Sequence, residues 1–178
     1  MTTSNLVLEE ALRIAELGYR VLPCNQVKKP AIKGGPDAAT KKAARITRWF
    51  SKTDLLLAVK TGSNTTLFVV DVDPDDTDWP TMNQDQMLCE RVHETRLGKH
   101  CLYRFSDALR GDTNTAGKAH LGVDTRGEGG CLIWWPAHGL GASSDSTNLT
   151  ERPSWLVNAH AGSAEVPKTI QAHSVTLS

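Results

Sequence analysis

Apolar residues recur at helical spacing near the start of the chain. Leu8, Leu12 and Ala15 would lie on one face of a helix, and Ser4 precedes them as a capping residue. Gly18 follows and is suited to end the helix, because glycine tolerates the left-handed backbone found at helix ends. The pattern therefore predicts a first helix between Ser4 and Gly18.

A second helix is predicted to run to about Phe50. Asp37 or Thr40 can serve as its N-cap, since the short polar side chain of either can accept a backbone hydrogen bond. Ile46 and Trp49 are three residues apart and are expected to face inward. Residues 25–37 before it contain two prolines and two glycines, which predict a loop.

Short apolar stretches predict six β-strands, at residues 19–24, 58–60, 67–73, 100–105, 120–125 and 131–135. The strongest is 67–73, because four of its apolar residues are β-branched or aromatic and Pro74 follows it. Residues 61–64 predict a turn, 81–95 a helix and 106–118 a polar loop. Residues 126–130 contain three glycines, which either form a hairpin turn or let the backbone approach a ligand.

The order of the predicted helices and strands indicates the fold class. Helices come early and strands dominate the middle of the chain, so we expect an α/β (α+β) fold with a mixed sheet flanked by helices. One domain is predicted over residues 1–160. Residues 161–178 are small and polar and are predicted to be a linker or disordered tail.

Charge is distributed unevenly although the net charge of the 178-residue chain is +0. Residues 28–52 hold eight basic side chains against one acid, and residues 71–94 hold eight acids against one base. A basic segment followed by an acidic one suits a site that grips phosphates and binds metal ions. Two solvated faces of opposite sign would give the same pattern.

Several classes are disfavoured by what the sequence lacks. No apolar run approaches membrane-spanning length and no signal-peptide pattern opens the chain, so we expect no membrane partner. The four cysteines form no C-x-x-C pair, so no zinc is expected and the thiols are taken as reduced. No Walker A motif occurs, which argues against an ATPase.

The most informative motif is the pair Asp71 and Asp73 at the end of the strongest strand. Side chains alternate along a strand, so these two carboxylates share one face, about 6.6 Å apart along the chain. Such a pair can flank two divalent ions. Without ions the carboxylates should repel one another, so we expect Asp71→Asn to leave metal-free stability unchanged or to raise it.

Other interpretations of this motif remain. An exposed acidic strand end is one of them. A calcium-binding loop would require glycine at position 76 and glutamate at 82, where this chain has Asp76 and Met82. A haloacid-dehalogenase phosphatase would require threonine at Asp75. That imperfect match keeps a phosphatase as a rival from another chemical class.

Segments in a fixed order carry a family resemblance. They are AELGYRVLP (15–23), KP (29–30), KG (33–34), DAAT (37–40), ITRWF (46–50), TG (61–62), VVDVD (69–73), GKHCLYRF (98–105) and VDTRGEGG (123–130). Over about residues 8–136 the chain resembles the bifunctional primase-polymerase domains of the archaeo-eukaryotic primase superfamily.

The resemblance implies roles for individual residues. Asp71, Asp73 and Asp124 would be catalytic and would hold two Mg²⁺ or Mn²⁺ ions. His100 matches the family's small-x-His motif and would contact the triphosphate of the incoming nucleotide, although Lys99 stands before it where the family often has a small residue.

Two basic residues are further candidates on their own chemistry. Arg126 lies two residues after Asp124, so on a continuing strand it shares the same face and can clamp phosphate oxygens. Lys33 lies in a basic loop and would bind phosphate, unless it is simply solvated.

The function implied is that of a DNA-dependent nucleotidyltransferase, a primase or DNA polymerase from a phage or plasmid replication protein. Its partners would be single-stranded or primed DNA template and nucleoside triphosphates, with a helicase and a helical accessory domain in the parent chain. The expected location is the cytoplasm of a bacterial host. The alternatives are a metal-dependent phosphatase or nuclease and a non-catalytic DNA-binding module of the same fold.

Overall fold

This computed structural model describes residues 3–51, 54–73, 88–106, 115–120 and 123–152; it begins with a helix, and a second helix follows the first strand. Helix α1 spans Thr3–Glu16 and helix α2 spans Ala43–Phe50. Gly18 follows α1 with φ of 100°, as its place after the helix predicted. Among the described residues, no helix is long and apolar enough to cross a membrane.

The predicted N-caps of α2 are wrong. Lys42 occupies the N-cap position and makes no side-chain capping hydrogen bond. Thr40 is instead paired with Val21 by two backbone hydrogen bonds of 2.9 Å. Asp37 lies in a 3-10 helix over Gly35–Ala38, where it forms a 2.7 Å ion pair with Lys60. Asp37 is thus held by a tertiary partner, whereas the Thr40 hydroxyl still accepts a local hydrogen bond from the Lys42 N–H at 3.1 Å, just before the helix.

The strands form two sheets in which every described pairing is antiparallel. A three-stranded sheet has the order β1-β2-β8, and a five-stranded sheet has the order β4-β5-β3-β7-β6. Their bounds are Val21–Cys24 (β1), Leu56–Lys60 (β2), Leu67–Val72 (β3), Arg91–Glu94 (β4), Lys99–Arg104 (β5), Thr115–His120 (β6), Val123–Arg126 (β7) and Cys131–Ile133 (β8). The α+β class is therefore confirmed, but one mixed sheet is replaced by two antiparallel ones.

Three local predictions need correction. Residues 91–94 of the predicted helix form β4, because Arg91 and His93 are buried on one face and pair with β5. Residues 115–118 of the predicted polar loop belong to β6. The loop over 126–130 is no hairpin, because it carries the chain from β7 to β8 in the other sheet. Residues 74–87, 107–114 and 153–178 lie outside the described part, so the predictions made there, including the domain end at 160, stay predictions.

The main core lies between the helices and one face of both sheets. Ile14, Ile46 and Phe50 of the helices meet Val69 of β3 and Trp134 in this cluster, and all five are at most 2% exposed. Ile46 faces inward as predicted, and Trp49 packs against the same cluster while partly buried. Burying these side chains is what holds the two sheets under the helices.

Hydrogen bonds join the 126–130 loop to the turn that follows β2. Thr61 donates its backbone N–H to the Gly130 carbonyl at 2.9 Å and its hydroxyl to the Gly127 carbonyl at 2.6 Å. Gly62 has φ of 103°, and a Cβ added there would lie 2.9 Å from the Glu128 Cα. This close approach requires glycine, and it fixes the loop that follows Arg126.

We therefore predict that Gly62→Ala destabilises the protein more than Gly129→Ala, measured as the free energy of urea unfolding. Both glycines have positive φ, which costs alanine about 1 kcal/mol or more. Only Gly62 also meets backbone, since nothing lies within 4 Å of a Cβ at Gly129. The added clash should cost roughly 1–3 kcal/mol more. Equal losses in the two variants would show that the loop does not depend on this contact.

Candidate active site

The register of the five-stranded sheet gathers the predicted residues around Asp71. Strand β3 is central, and Asp71 lies directly opposite His100 on β5 and Asp124 on β7. Residues directly opposite one another share a face, and Asp71 shares that face with Val69 of the main core. The same face therefore has an apolar half beneath the helices and a polar end at Asp71.

Three charged or polar contacts define this polar end. The His100 Nε2 lies 3.4 Å from the Asp71 Oδ1. One guanidinium nitrogen of Arg126, Nη2, lies 3.4 Å from the Asp71 Oδ2 and 3.4 Å from the Asp124 Oδ2. The two carboxylates on neighbouring strands thus share one cation, and the structure brings Asp71, Asp124, His100 and Arg126 together.

Asp71 is stabilised as a carboxylate. Burial would by itself raise the pKa of Asp71, but the hydrogen bond and charge of His100 and the charges of Arg126 and Lys28 lower the pKa below its ordinary value. The side chain is 17% exposed, so these partners act with little screening by solvent. Asp71 is therefore ionised at neutral pH in spite of its acidic neighbours.

The repulsion among the acidic side chains acts mainly on Asp73 instead. It lies just beyond the end of β3 and is exposed. The pKa of Asp73 is raised, first by loss of solvent and then by the charge of Asp71, with a smaller contribution from Asp124, while Lys28 opposes the shift. These directions argue against the expectation that removing the Asp71 carboxylate would relieve repulsion, because the partners of Asp71 outweigh its acidic neighbours.

A cleft of about 400 Å³ opens beside these residues, between the two sheets. Its charged wall is Asp71, His100 and Arg126, and its other wall is largely apolar. The remaining lining residues come from β8, from Trp135 and from the segment before α2, and they are Lys28, Pro30, Pro36, Cys131, Leu132, Ile133 and Trp135. A cleft of this volume, with few polar groups in an apolar setting, is typical of small-molecule sites.

Lys28 is a site residue that the sequence indicated only as part of a basic segment, whereas Lys33 is exposed and is not among the residues lining the cleft. Lys28 has φ of 62°, and its Nζ lies 5.6 Å from the centroid of the Trp135 ring. The Asn25 Oδ1 accepts hydrogen bonds from the N–H groups of Val27 and Lys29, which forms a turn around Lys28. An asparagine directly after β1 was the one available signal.

The donor chemistry fits a divalent ion, although no closed ligand set is present. Carboxylate oxygens such as those of Asp71, Asp73 and Asp124 are what Mg²⁺ and Mn²⁺ prefer. Within the described ranges, however, no three His, Cys, Asp or Glu side chains are close enough to hold a metal. Arg126 supplies the positive charge between Asp71 and Asp124 in this arrangement.

An α+β domain whose cleft is lined by Arg126 and Lys28 is suited to bind phosphorylated ligands through charge-assisted hydrogen bonds. The family model described as bifunctional DNA primase/polymerase, N-terminal, matches residues 11–169, and the chain belongs to this family. It is thus a DNA primase/polymerase domain, for which the family implies nucleotidyl transfer with DNA template and nucleotides as substrates. No curated protein and no solved structure matches the chain.

We predict opposite effects of Asp71→Asn and Asp73→Asn on metal-free stability, measured by urea unfolding in chelator. Asp71→Asn should cost about 1–2 kcal/mol at pH 7, because charge-assisted contacts are lost. Asp73→Asn should raise stability, because a repelled charge is removed.

The pH dependence separates the two variants further. The lowered pKa of Asp71 gives stability above the unfolded value of about 4, which is lost as pH falls through the folded pKa. The raised pKa of Asp73 means that its ionised form destabilises the fold at pH values above this raised pKa. The Asp71→Asn difference from the parent should shrink below pH of about 4, whereas the Asp73→Asn difference should shrink as pH falls through the raised pKa and be gone below about 4. A stabilising Asp71→Asn at pH 7 would restore the first expectation.

Proposed function

We propose that the chain adds nucleotides to a primer on a DNA template. The observation that carries this proposal is the register that sets Asp71 beside both Asp124 and His100 at the edge of a cleft. The reaction is attack of the primer 3′-hydroxyl on the α-phosphate of a nucleoside triphosphate, with release of pyrophosphate. Catalysis then depends on positioning and charge neutralisation, with no covalent enzyme intermediate.

Each residue has a role in this proposal. Asp71, Asp73 and Asp124 would hold two Mg²⁺ or Mn²⁺ ions, which when bound neutralise the charge that develops on the attacking and leaving oxygens. His100 donates from Nε2 to a phosphate oxygen. When a triphosphate binds, Arg126 directs some of its N–H donors to the phosphate oxygens in place of the Asp71 and Asp124 carboxylates.

The cleft supports a nucleotide as ligand. Its charged wall suits a triphosphate, and Lys28 at the opposite side adds a second cation for the phosphates. Leu132, Ile133 and Trp135 supply apolar surface for the sugar and base.

The template is proposed to lie along the basic segment between Lys28 and Lys52. Lys41, Lys42, Arg45 and Arg48 are exposed at the start and outer face of α2, and Lys28 lines the cleft. The basic side chains at the cleft and on the outer face of α2 are the proposed contacts to successive phosphates. Lys52 itself lies outside the described residues.

The wider setting is also part of the proposal. It comprises a phage or plasmid replication protein in the cytoplasm of a bacterial host, with a helicase and a helical accessory domain in the parent chain. A phosphatase or nuclease would use the same acids, and a non-catalytic DNA-binding module would keep the cleft without turnover. Both alternatives predict no pyrophosphate release that depends on primer.

We predict that Asp71→Asn lowers the rate of pyrophosphate release on primed template by at least about 100-fold. A neutral amide is a poor ligand for a divalent ion and cannot replace the carboxylate. Glu16→Gln is the matched control, because Glu16 is an exposed carboxylate at the end of α1 and should keep the parent rate. An Asp71→Asn variant that retains a tenth of the parent rate would contradict the proposal.

Reversing charge on α2 and just before it should weaken template binding and flatten its salt dependence. With Lys41, Lys42 and Arg45 changed to glutamate, the slope of log affinity against log salt should fall by roughly 0.7 for each lost contact with single-stranded DNA. A charge-preserving variant, with arginine at 41 and 42 and lysine at 45, is the control and should keep the slope. Unchanged affinity and slope after reversal would make this surface a solvated face only.

A further inference from the structure

Two turns from distant parts of the chain place cations against Trp135, one of the residues that line the cleft. The Trp135 side chain is 2% exposed. The guanidinium carbon of Arg96 lies 4.8 Å from the centroid of its ring, and the Nζ of Lys28 lies 5.6 Å from it. Both distances are within the range in which a cation is attracted to an aromatic ring. Trp135 therefore holds two positive charges close to one another at the edge of the cleft.

The turn that carries Arg96 joins β4 to β5 and is fixed by its own hydrogen bonds. The Thr95 hydroxyl accepts from the N–H groups of Leu97 and Gly98 at 3.3 and 2.9 Å. Burial, and then the charge of Arg96, lowers the pKa of His138, which lies in the short 3-10 helix that follows β8. Arg96 therefore extends from an ordered turn towards this helix.

The turn that carries Lys28 is ordered in the same way. The Lys28 N–H donates to the Asn25 carbonyl at 2.9 Å, and the Asn25 N–H donates to the Lys29 carbonyl at 2.8 Å. Each turn also has an apolar side chain next to its cation. These are Val27, which is 70% exposed, and Leu97, which is 62% exposed. Both turns thus present one positive charge and one apolar side chain to solvent.

The two cations lack acidic partners. Within the described ranges, no carboxylate forms an ion pair with Lys28 or Arg96. Glu94, the acid two residues before Arg96, instead accepts a hydrogen bond from the Gly141 N–H at 3.1 Å. Unpaired cations beside apolar side chains suit single-stranded nucleic acid, whose phosphates attract the cations and whose base faces pack against apolar surface.

Other occupants fit this surface less well. Two isolated apolar side chains offer far less than the roughly 800 Å² per partner that a stable protein interface buries. Arg96 is not among the residues that line the nucleotide cleft, so it lies outside the space assigned to the triphosphate. The remaining ligand with regularly spaced negative charges and apolar faces is a nucleic-acid strand.

We propose that the two turns, residues 25–29 and 95–98, bind single-stranded DNA at the edge of the cleft. Arg96 contacts a phosphate of the strand, and Val27 and Leu97 pack against base faces. This surface adds the β4–β5 turn to the template path along the basic segment. The assignment of the strand as template rests on the proposed function, whereas the DNA contact itself requires no turnover.

The first test is the binding of a fluorescein-labelled oligodeoxythymidylate to the intact chain, measured by anisotropy over a series of salt concentrations without nucleotide. Arg96→Gln should weaken binding roughly three- to tenfold at low salt and lower the slope of log affinity against log salt by roughly 0.7, because one phosphate contact is lost. Leu97→Ser should weaken binding by a similar factor at every salt concentration and keep the slope, because an apolar contact releases no counterions.

Matched controls come from the far end of the β4–β5 hairpin. Leu88 is 75% exposed before β4, and Arg104 at the end of β5 is paired with Glu151 at 3.0 Å. Leu88→Ser and Arg104→Gln should bind DNA as the parent does. Arg96→Lys and Leu97→Met keep the charge and the apolar side chain, and their recovery of binding would show that contacts were lost and not the turn. Equal binding by Arg96→Gln, Leu97→Ser and the two controls would overturn the proposal.

The second test identifies the ligand, by the steady-state kinetics of primer extension and by sedimentation. Arg96→Gln should raise the KM for primed template and leave the KM for nucleotide unchanged. A raised KM for nucleotide with unchanged DNA affinity would place Arg96 in the nucleotide site and overturn the proposal. A changed oligomeric state of Leu97→Ser with unchanged DNA affinity would make the turns an interface between copies, and would overturn it too.

The two tests separate this inference from the function on which it draws. A parent protein that binds the oligonucleotide through these turns but releases no pyrophosphate would uphold the DNA surface and reject nucleotidyl transfer. An active parent whose DNA affinity is unaffected by Arg96→Gln and Leu97→Ser would uphold the transfer reaction and reject the surface.

Discussion

The site depends on a pair of like charges placed opposite one another on adjacent strands. Asp71 and Asp124 face the same side of the sheet, so their like charges call for a shared counterion where solvent is limited. Arg126 supplies that cation at 3.4 Å from each carboxylate. A divalent ion is the alternative counterion that the proposed function would place between these two carboxylates.

The rest of the fold holds this arrangement from both sides. Behind it, buried Arg91 and His93 lie against His100 and tie the site to Trp134, whose Nε1 donates to Glu10 of α1 at 2.8 Å. In front, the loop after Arg126 is clamped to Thr61 and Gly62 before it enters the second sheet. Because this loop changes sheets, it places β8 across the cleft from Asp71.

Much of the site could be predicted from sequence because it depends on local order. Alternation along β3 put Asp71 and Asp73 on one face, the family resemblance pointed to His100 and Asp124, and the two-residue spacing from Asp124 pointed to Arg126. Residues whose role arises from tertiary contacts were not predictable in this way. Lys28 and Trp135 meet at the cleft from segments about a hundred residues apart, and nothing local marks either as a partner of the other.

The errors in the fold have the same origin. Residues 91–94 were predicted as helix, but pairing with β5 buries Arg91 and His93 and outweighs the local pattern. Thr40 was predicted as an N-cap, but its backbone pairs with Val21. The sequence did not indicate two sheets, because the strands predicted at 120–125 and 131–135 flank a glycine-rich loop that has the composition of a hairpin turn. Only the register of long-range pairs distinguishes these outcomes.

The central claim is that Asp71 and Asp124 hold a divalent ion beside a nucleotide triphosphate bound at His100. The most direct measurement is anomalous diffraction at the manganese edge, from crystals grown with Mn²⁺ and a non-hydrolysable nucleoside triphosphate. The account predicts an anomalous peak between the Asp71 and Asp124 carboxylates, with Arg126 contacting the triphosphate. A peak elsewhere, or a triphosphate bound away from His100 with Arg126 still between the two carboxylates, would contradict it.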